Sequence, residues 1–212
     1  MASAARVSTG PWHVRYPLHH ACRENGDLHQ VVVQVEEAGV NPDEPDDEFS
    51  RTPLQFAVEF KHFRICAYLL SLTAKDGVDG GQKTSSGWTL LHLCVRQGAF
   101  DILQLLLEGP QASRTKAVVD AQNALGHTPL HVAIQFAPRG TRLELVQLLL
   151  AHGASASLVD SFGISPSRLA ASTSQPALVS VLLASIPVPC PPRQRPSRLI
   201  KATTEARAPR HR

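Results

Sequence analysis

The chain has 212 residues, of which 43% are hydrophobic and 18% charged, a composition that predicts one or two compact domains and excludes wholesale disorder. Aromatic residues make up only 5%, so the core is expected to be mainly aliphatic. The net charge of +3 is unevenly distributed along the chain. Residues 187–212 carry seven Lys or Arg and a single acidic residue, Glu205, so the rest of the chain is mildly acidic.

Composition and spacing exclude several further classes of protein. The four cysteines, at positions 22, 66, 94 and 190, share no short spacing. This excludes a disulfide scaffold and a cysteine-based zinc site, and it fits a reduced, intracellular compartment. The N-terminus has no long apolar stretch, so no signal peptide is expected. Residues 178–189 form the longest nearly apolar stretch, but a membrane span needs about 20 residues.

One six-residue pattern recurs along the chain, with steps of 36, 37, 39 and 37 residues between successive copies. A fixed period of this kind indicates stacked structural repeats. In chain order the copies are 16–21 (YPLHHA), 52–57 (TPLQFA), 89–94 (TLLHLC), 128–133 (TPLHVA) and 165–170 (SPSRLA). A leucine-type run follows the later copies at 68–70, 105–107, 148–150 and 181–183.

The residues of each copy predict a pair of helices. Thr followed by Pro favours a helix start, because Thr can cap the helix and Pro is tolerated in its first turn. A glycine such as Gly98 then marks a turn, and the second helix carries the apolar run. Gly39, Gly109 or Gly153 is expected to close that helix at the C′ position. Pro176 is expected to begin the last helix.

The pattern T-P-L-H-x-A resembles the signature of the ankyrin-repeat family. The resemblance implies an all-α ankyrin-repeat solenoid of about five helix-turn-helix repeats joined by β-hairpin-like connections, with short or absent strands. We expect an N-terminal arm at 1–13, an ankyrin-repeat domain at 14–186 and a disordered, proline-rich basic tail at 187–212. The approximate repeats are 14–49, 50–85, 86–123, 124–160 and 161–186.

Because the steps exceed the ankyrin period of about 33 residues, the extra residues are assigned to loops. Residues 73–86 and 109–123 are interpreted as long connections, and 135–142 as a lengthened turn between the two helices of the fourth repeat. Residues 41–48 (NPDEPDDE) form an acidic loop. Either this loop is simply solvated, or it is a patch for a basic partner or for the chain's own tail.

No catalytic or cofactor-binding pattern is present, because the chain lacks G-x-G-x-x-G, a Walker loop, G-x-S-x-G and H-E-x-x-H. No enzyme activity, metal or cofactor is therefore expected. The family resemblance implies that His19, His92 and His131 bridge adjacent hairpins by hydrogen bonds. Cys66 and Cys94 are expected to be buried and structural.

With catalytic, metal and cofactor sites not expected, the remaining functional feature is a surface that binds another protein. Ankyrin domains generally bind proteins with their hairpin tips and the outward side of the first helix, so the resemblance implies candidates at those positions. The alternative is that these side chains pack on neighbouring repeats. The hairpin candidates are Phe49, Arg51, Trp88, Leu125, His127, Phe162 and Ile164, and the first-helix candidates are Arg23, Glu59, Phe60, Arg96, Gln97, Gln135 and Phe136.

Residues 86–160 are similar to late repeats of the IκB family, particularly its nuclear, atypical members. The feature that carries this resemblance is the insertion at 135–142 in a penultimate repeat. It implies a protein partner of the Rel/NF-κB type. The phosphodegron Asp-Ser-Gly-x-x-Ser and the acidic tail of the cytoplasmic inhibitors are absent, and there are five repeats rather than six or seven.

The sequence thus favours a non-enzymatic, monomeric protein-binding module of the cytoplasm or nucleus, and the local resemblance implies an IκB-like regulator. The alternative is a generic ankyrin adapter, such as a substrate-recruiting subunit of a ubiquitin ligase, although Cys190–Arg212 shows no apolar helical pattern after Ile200. The basic tail could touch phosphate groups non-specifically or act as a nuclear-import signal, but direct nucleic-acid binding is not expected.

Overall fold

Five helix pairs are stacked side by side in a computed structural model that describes residues 12–24, 26–73, 82–109, 112–173 and 175–185. A short helix, α1 (Trp12–Arg15), precedes them. The first helices of the pairs are α2 (Pro17–Glu24), α4 (Pro53–Glu59), α6 (Leu90–Gln97), α9 (Pro129–Phe136) and α11 (Pro166–Ala171). The second helices are α3 (Leu28–Val32), α5 (Phe63–Thr73), α7 (Phe100–Glu108), α10 (Arg142–Ala151) and α12 (Pro176–Ser185). The described residues contain no strand, so the all-α solenoid is confirmed.

The starts of the first helices follow from local side-chain chemistry. Thr52 and Thr128 have extended backbones, and the hydroxyl of each accepts a hydrogen bond from the backbone N–H three residues later. A proline then occupies the first turn, where its missing N–H costs nothing. Ser165 caps α11 in the same way, and α12 begins at Pro176 as predicted.

The stack is held together by one continuous aliphatic core. The first helices lie in a row in which α4 contacts α2 and α6, and α9 contacts α6 and α11. The second helices form a parallel row through α5, α7, α10 and α12. Leu54, Leu91 and Leu130 fill equivalent places between first helices and are at most 2% exposed. Each pair therefore buries its apolar face only by packing on its neighbours.

Two connections differ from the sequence-based interpretation. The long connection at 109–123 contains a further short helix, α8 (Ala112–Ala117), which packs on α7. Gly109 is not left-handed as a C′ glycine would be, because its backbone is extended at φ −78° and ψ −168°. A side chain at Gly109 would still collide with the carbonyl oxygen of Leu105, which lies 2.2 Å from the place of a Cβ atom.

The first repeat is the most irregular. Its second helix, α3, has a single buried residue, Val31, and continues as a π-helical turn over Val33–Glu37 in which no residue is buried. The lengthened turn expected at 135–142 is present but shorter, because α9 continues to Phe136 and α10 begins at Arg142, which leaves residues 137–141 as the turn. There the guanidinium of Arg142 donates two hydrogen bonds to the carbonyl oxygen of Ala137, at 2.6 and 3.1 Å.

Some predictions fall on other parts of the chain. The N-terminal arm, except its last two residues, the tail at 187–212, Cys190 and most of the loop at 73–86 lie outside the described residues. Within the described residues, no helix is long and apolar enough to cross a membrane. The longest, α5, has 11 residues.

Leu106 and Leu149 are predicted to carry a large share of the stability of the stack. Both are almost fully buried in second helices, at 1% and 0% exposure. Replacing either by alanine should destabilise the fold by about 2–5 kcal/mol through lost burial and a residual cavity. Thermal unfolding of the two variants measures this, with Leu183→Ala as the matched control because Leu183 is 60% exposed. Equal melting temperatures for all three variants and the parent would contradict the placement of the core.

Candidate protein-binding surface

The hairpins between repeats are built on a polar side chain that captures backbone N–H groups. The Oδ1 atom of Asp160 accepts hydrogen bonds from the N–H groups of Phe162 and Ile164, both at 2.9 Å. Asn123 makes the same pair of bonds in the preceding hairpin. Although burial alone disfavours the charged carboxylate, these N–H groups hold the pKa of Asp160 below its usual range.

The first hairpin corrects the view of residues 41–48 as a solvated acidic loop. Asp46 is only 3% exposed, and its Oδ1 accepts hydrogen bonds from the N–H groups of Phe49 and Arg51 at 3.0 and 2.8 Å. Asp47 is exposed and forms an ion pair with Arg15. The loop is thus partly structural, and Asp46 corresponds to Asn123 and Asp160 in the later hairpins.

A side chain of each first helix connects its repeat to the next hairpin. In the third repeat, Nδ1 of His92 accepts a hydrogen bond from the N–H of Thr89 at 3.2 Å, and Nε2 donates to the carbonyl oxygen of His127 at 2.9 Å. His131 bonds in the same way to Thr128 and to the carbonyl oxygen of Ile164. The predicted bridging role of these histidines is confirmed.

The same connection runs through the first two repeats with different chemistry. His19 donates to the carbonyl oxygen of Arg51 at 3.1 Å. In the second repeat the position holds Gln55, whose amide donates to the carbonyl oxygen of Gln82 at 3.1 Å and accepts from the N–H of Thr52. The amide thus replaces the imidazole, but it reaches Gln82 rather than Trp88, the residue that corresponds to Arg51, His127 and Ile164.

The N-terminal part of the inner face combines aromatic rings with arginines. The inner face is the surface formed by the hairpin tips and the exposed ends of the first helices. The guanidinium of Arg51 lies 5.2 Å from the ring centre of Phe49 and contacts Glu59 at 2.5 Å. The guanidinium of Arg96 lies 5.4 Å from the ring centre of Trp88. These distances are within the range of cation–π attraction.

The C-terminal part of the inner face is mainly apolar. Leu125 and Phe162 are exposed by 52% and 72%, and Gln135 is also exposed beside Phe136. Ile164 is half-buried. Each of these residues lies at a tip or at the end of a first helix, as the repeat register predicts.

His127 differs from the other candidates, because it is only 8% exposed. Its ring stacks on His131 with 5.9 Å between the ring centres, and its Nε2 lies 3.6 Å from Oδ2 of Asp160. Its expected exposure at a hairpin is therefore wrong, and packing between neighbouring repeats, the alternative left open by the sequence, describes it better.

Two cavities open onto the N-terminal part of this face. The larger has a volume of about 390 Å³, and its lining includes Phe49, Phe60 and Glu59. The smaller, of about 120 Å³, lies between the first and second hairpins, and its lining includes Ser85 and Ser86. These serines are not among the candidates predicted from the sequence, which are large side chains. An alignment of the hairpin tips reveals them, since Ser86 stands where the other hairpins have Phe49, Leu125 and Phe162.

The remaining titratable groups offer little chemistry. No cluster of histidine, cysteine and carboxylate side chains within the described ranges has the arrangement of a metal site. Cys22, Cys66 and Cys94 are buried and unpaired as free thiols. Burial raises the pKa of Cys22 and of Cys66 to about 12, so neither is a reactive thiolate.

Comparison with known families agrees with this architecture. A family model described as ankyrin repeats (3 copies) matches residues 18–116 and 71–159. The chain belongs to the ankyrin-repeat family. Ankyrin repeats are protein-interaction modules, and the inner face of this ankyrin chain offers the exposed aromatic and arginine side chains that such a module requires.

Two kinds of relative are found among known proteins. The ankyrin chain is 29% identical over 168 residues to a Saccharomyces cerevisiae protein named probable 26S proteasome regulatory subunit p28, and the match covers 79% of the chain and 68% of the yeast protein. It is 38% identical over 72 residues to NF-kappa-B inhibitor zeta of Bos taurus and of Mus musculus. That match covers 34% of the chain and 10% of each inhibitor.

The buried histidines predict that the ankyrin stack loses stability in mild acid. Burial lowers the pKa of His92 to about 4, so the folded state stays neutral at pH values where the unfolded chain binds a proton. With an unfolded pKa near 6.5, stability should fall as the pH drops from about 6.5 to about 4, by about 3 kcal/mol for this histidine.

The matched variant is His92→Gln, because Gln55 occupies the same position, bonds to its capping threonine and to the segment before the next helix, and does not titrate. Urea unfolding at several pH values should show a shallower acid loss for His92→Gln than for the parent. His29→Gln is the control, since His29 is exposed. If the free energy of unfolding falls as steeply with decreasing pH in His92→Gln as in the parent, then His92 does not cause the acid sensitivity.

Proposed function

We propose that the chain is a non-enzymatic adapter that holds a protein partner on its inner face. The observation that carries the proposal is the row of aromatic and arginine side chains at the tips and first-helix ends, above all Trp88 with Arg96 and Phe49 with Arg51. Phe49 and Arg96 are exposed, whereas Trp88 and Arg51 are half-buried. Aromatic residues and arginine are the side chains that most often dominate interface energies. The proposed contact residues are Phe49, Arg51, Trp88, Arg96, Leu125, Gln135, Phe162 and Ile164. His127 belongs to the same hairpin as Leu125 but is buried, so it is not among them.

The first candidate partner is a Rel-type transcription-factor dimer, which the chain would bind as an IκB-like regulator in the cytoplasm or nucleus. Two observations support this candidate. One is the local match to NF-kappa-B inhibitor zeta. The other is the lengthened turn between α9 and α10, where Arg142 closes the inserted residues onto Ala137. The repeats expected at 86–123 and 124–160 would then provide the centre of the contact.

The second candidate is a subunit of the proteasome. It is supported by the longer match to the yeast protein named probable 26S proteasome regulatory subunit p28, which extends over most of the chain. In this role the same inner face would hold a proteasomal protein. The adapter of a ubiquitin ligase stays an alternative, and the segment on which it depends, 190–212, lies outside the described residues.

A binding assay with purified proteins distinguishes the candidates. The full chain is immobilised and tested at micromolar concentration against a Rel-homology dimer and, separately, against purified proteasome regulatory particle. Binding to the dimer alone supports the IκB-like role, and binding to the particle alone supports the proteasomal role. Binding to neither under these conditions contradicts both candidates.

The surface is tested with whichever partner binds. Trp88→Ala combined with Arg96→Ala should weaken binding at least about tenfold, because a lost hot spot is worth about 2 kcal/mol and about 1.4 kcal/mol corresponds to a factor of ten. The matched control is Phe63→Ala with Arg64→Ala, which removes an exposed aromatic residue and an arginine from α5 on the opposite side. Circular dichroism melts show whether both double variants fold. Equal affinities for the two double variants would mean that the partner contacts another surface.

A further inference from the structure

We infer that the small cavity between the first and second hairpins is an anion pocket, which receives a carboxylate or phosphate side chain of the protein held on the inner face. This inference rests on the proposed function for the origin of the anion. The cavity itself is defined by the residues that line it. They are Phe49, Arg51, Thr84, Ser85, Ser86, Trp88, Leu93 and Arg96.

The lining has the chemistry of an anion site. Two guanidinium groups and three hydroxyl groups face a volume of about 120 Å³, and none of the described residues that line it is a carboxylate. Arginine presents several N–H donors in a planar fork that matches the oxygens of carboxylates and phosphates. Serine hydroxyls can add further hydrogen bonds to the same oxygens.

The pocket exists because one hairpin tip carries a small residue. Phe49, Leu125 and Phe162 are large and exposed at the tips of their hairpins, whereas the second hairpin has Ser86 at that position. The hairpins themselves are stacked in the same way throughout. The N–H of Ser85 donates to the carbonyl oxygen of Phe49 at 3.0 Å, and the N–H of Ser161 donates to that of Leu125 at 3.1 Å. The missing side chain therefore leaves a gap without a change of backbone.

The side chain of Arg96 is held by packing, and its charge is not neutralised by a neighbouring carboxylate among the described residues. Its guanidinium packs over the ring of Trp88, and it takes part in none of the ion pairs found among the described residues. Arg51 is fixed from the other side, because it lies over the rings of Phe49 and Phe56 and bonds to Glu59 through one nitrogen. Two arginines fixed in this way lose little side-chain entropy when an anion arrives.

The neighbouring cavity makes the assignment specific. It shares Phe49 and Arg51 with the small one, but its lining also includes Asp46, Glu48 and Glu59. These carboxylates disfavour a second anion there. Phe49 and Phe60 give it exposed apolar rings instead, at 46% and 44% exposure. The two cavities together thus fit a partner segment that places an anionic side chain in the small cavity and an adjacent apolar side chain in the larger one.

The pocket is tested without the partner, so that its failure is distinct from failure of the proposed function. The full chain carrying Trp12→Phe has Trp88 as its one tryptophan, and Trp88 fluorescence reports on Arg96 above it. Inorganic phosphate and acetate are titrated in separate arms at constant ionic strength, with chloride as the balancing salt. A saturable fluorescence change in either arm supports the pocket, and the arm with the tighter binding identifies phosphate or carboxylate as the preferred group.

Three further variants in the same background locate the site. Arg96→Gln should weaken anion binding by about tenfold, the effect of losing one hydrogen bond to a charged group. Ser86→Leu should abolish binding by filling the gap, and it should fold because Leu125 occupies the equivalent position. Arg64→Gln on α5 is the matched control and should bind as the parent does. No saturable change in either arm, or equal binding by Arg96→Gln and Arg64→Gln, overturns the inference. If anions bind but no protein partner does, the pocket stands and the proposed function fails.

Discussion

The hydrogen bond from each first helix to the hairpin of the following repeat is the interaction on which the rest of the stack depends. His19, Gln55, His92 and His131 each donate to a carbonyl oxygen at least 27 residues further along the chain. Because the other side of Gln55, His92 and His131 is bound to the capping threonine of its own repeat, the bond fixes the distance and the rotation between these neighbours. Aliphatic burial supplies most of the stabilisation, but it is non-directional and cannot set the register.

This bond also explains the order seen on the inner face. Once each hairpin is tied to the preceding helix, its tip side chain must point to the same side as the tips before and after it. The backbones come so close that Gly87 and Gly126, with φ of +76° and +74°, leave no room for a Cβ atom against the next hairpin. The tips themselves carry no such restriction. A tip residue can therefore be exchanged, as Ser86 stands among Phe49, Leu125 and Phe162, while the stack stays the same.

The parts of the molecule that the sequence predicted well are those encoded by neighbouring residues. A threonine followed by proline starts α4 and α9, and Leu106 and Leu149 lie in the core because the period places them there. Contacts between repeats were harder to predict. The sequence leaves open whether Asp46 lies in a solvated loop or in a binding patch, because no adjacent residue shows that it accepts the N–H groups of Phe49 and Arg51.

The burial of His127 has a similar origin. Its place beside a hairpin glycine suggested exposure, but His131 and Asp160 enclose it from two other parts of the chain. The short helix α8 lies in a segment whose composition resembles a loop, and it is stabilised by packing on α7. The anion pocket could not be predicted from large residues, because it forms where a hairpin tip has the small residue Ser86 instead of a large side chain.

The π-helical turn in the first repeat has a consequence for how the stack opens. Repeats contact only their neighbours, so the free energy of local opening is set by what each one buries and by the interface it shares. The second helix of the first repeat buries only Val31, and its π-helical turn buries nothing, whereas α7 buries four residues. Backbone amides in α3 should therefore exchange with solvent by small fluctuations that leave the later repeats closed. Unfolding of the stack would then begin at the N-terminal repeat and proceed one repeat at a time, toward the hairpins that carry Phe49 and Ser86.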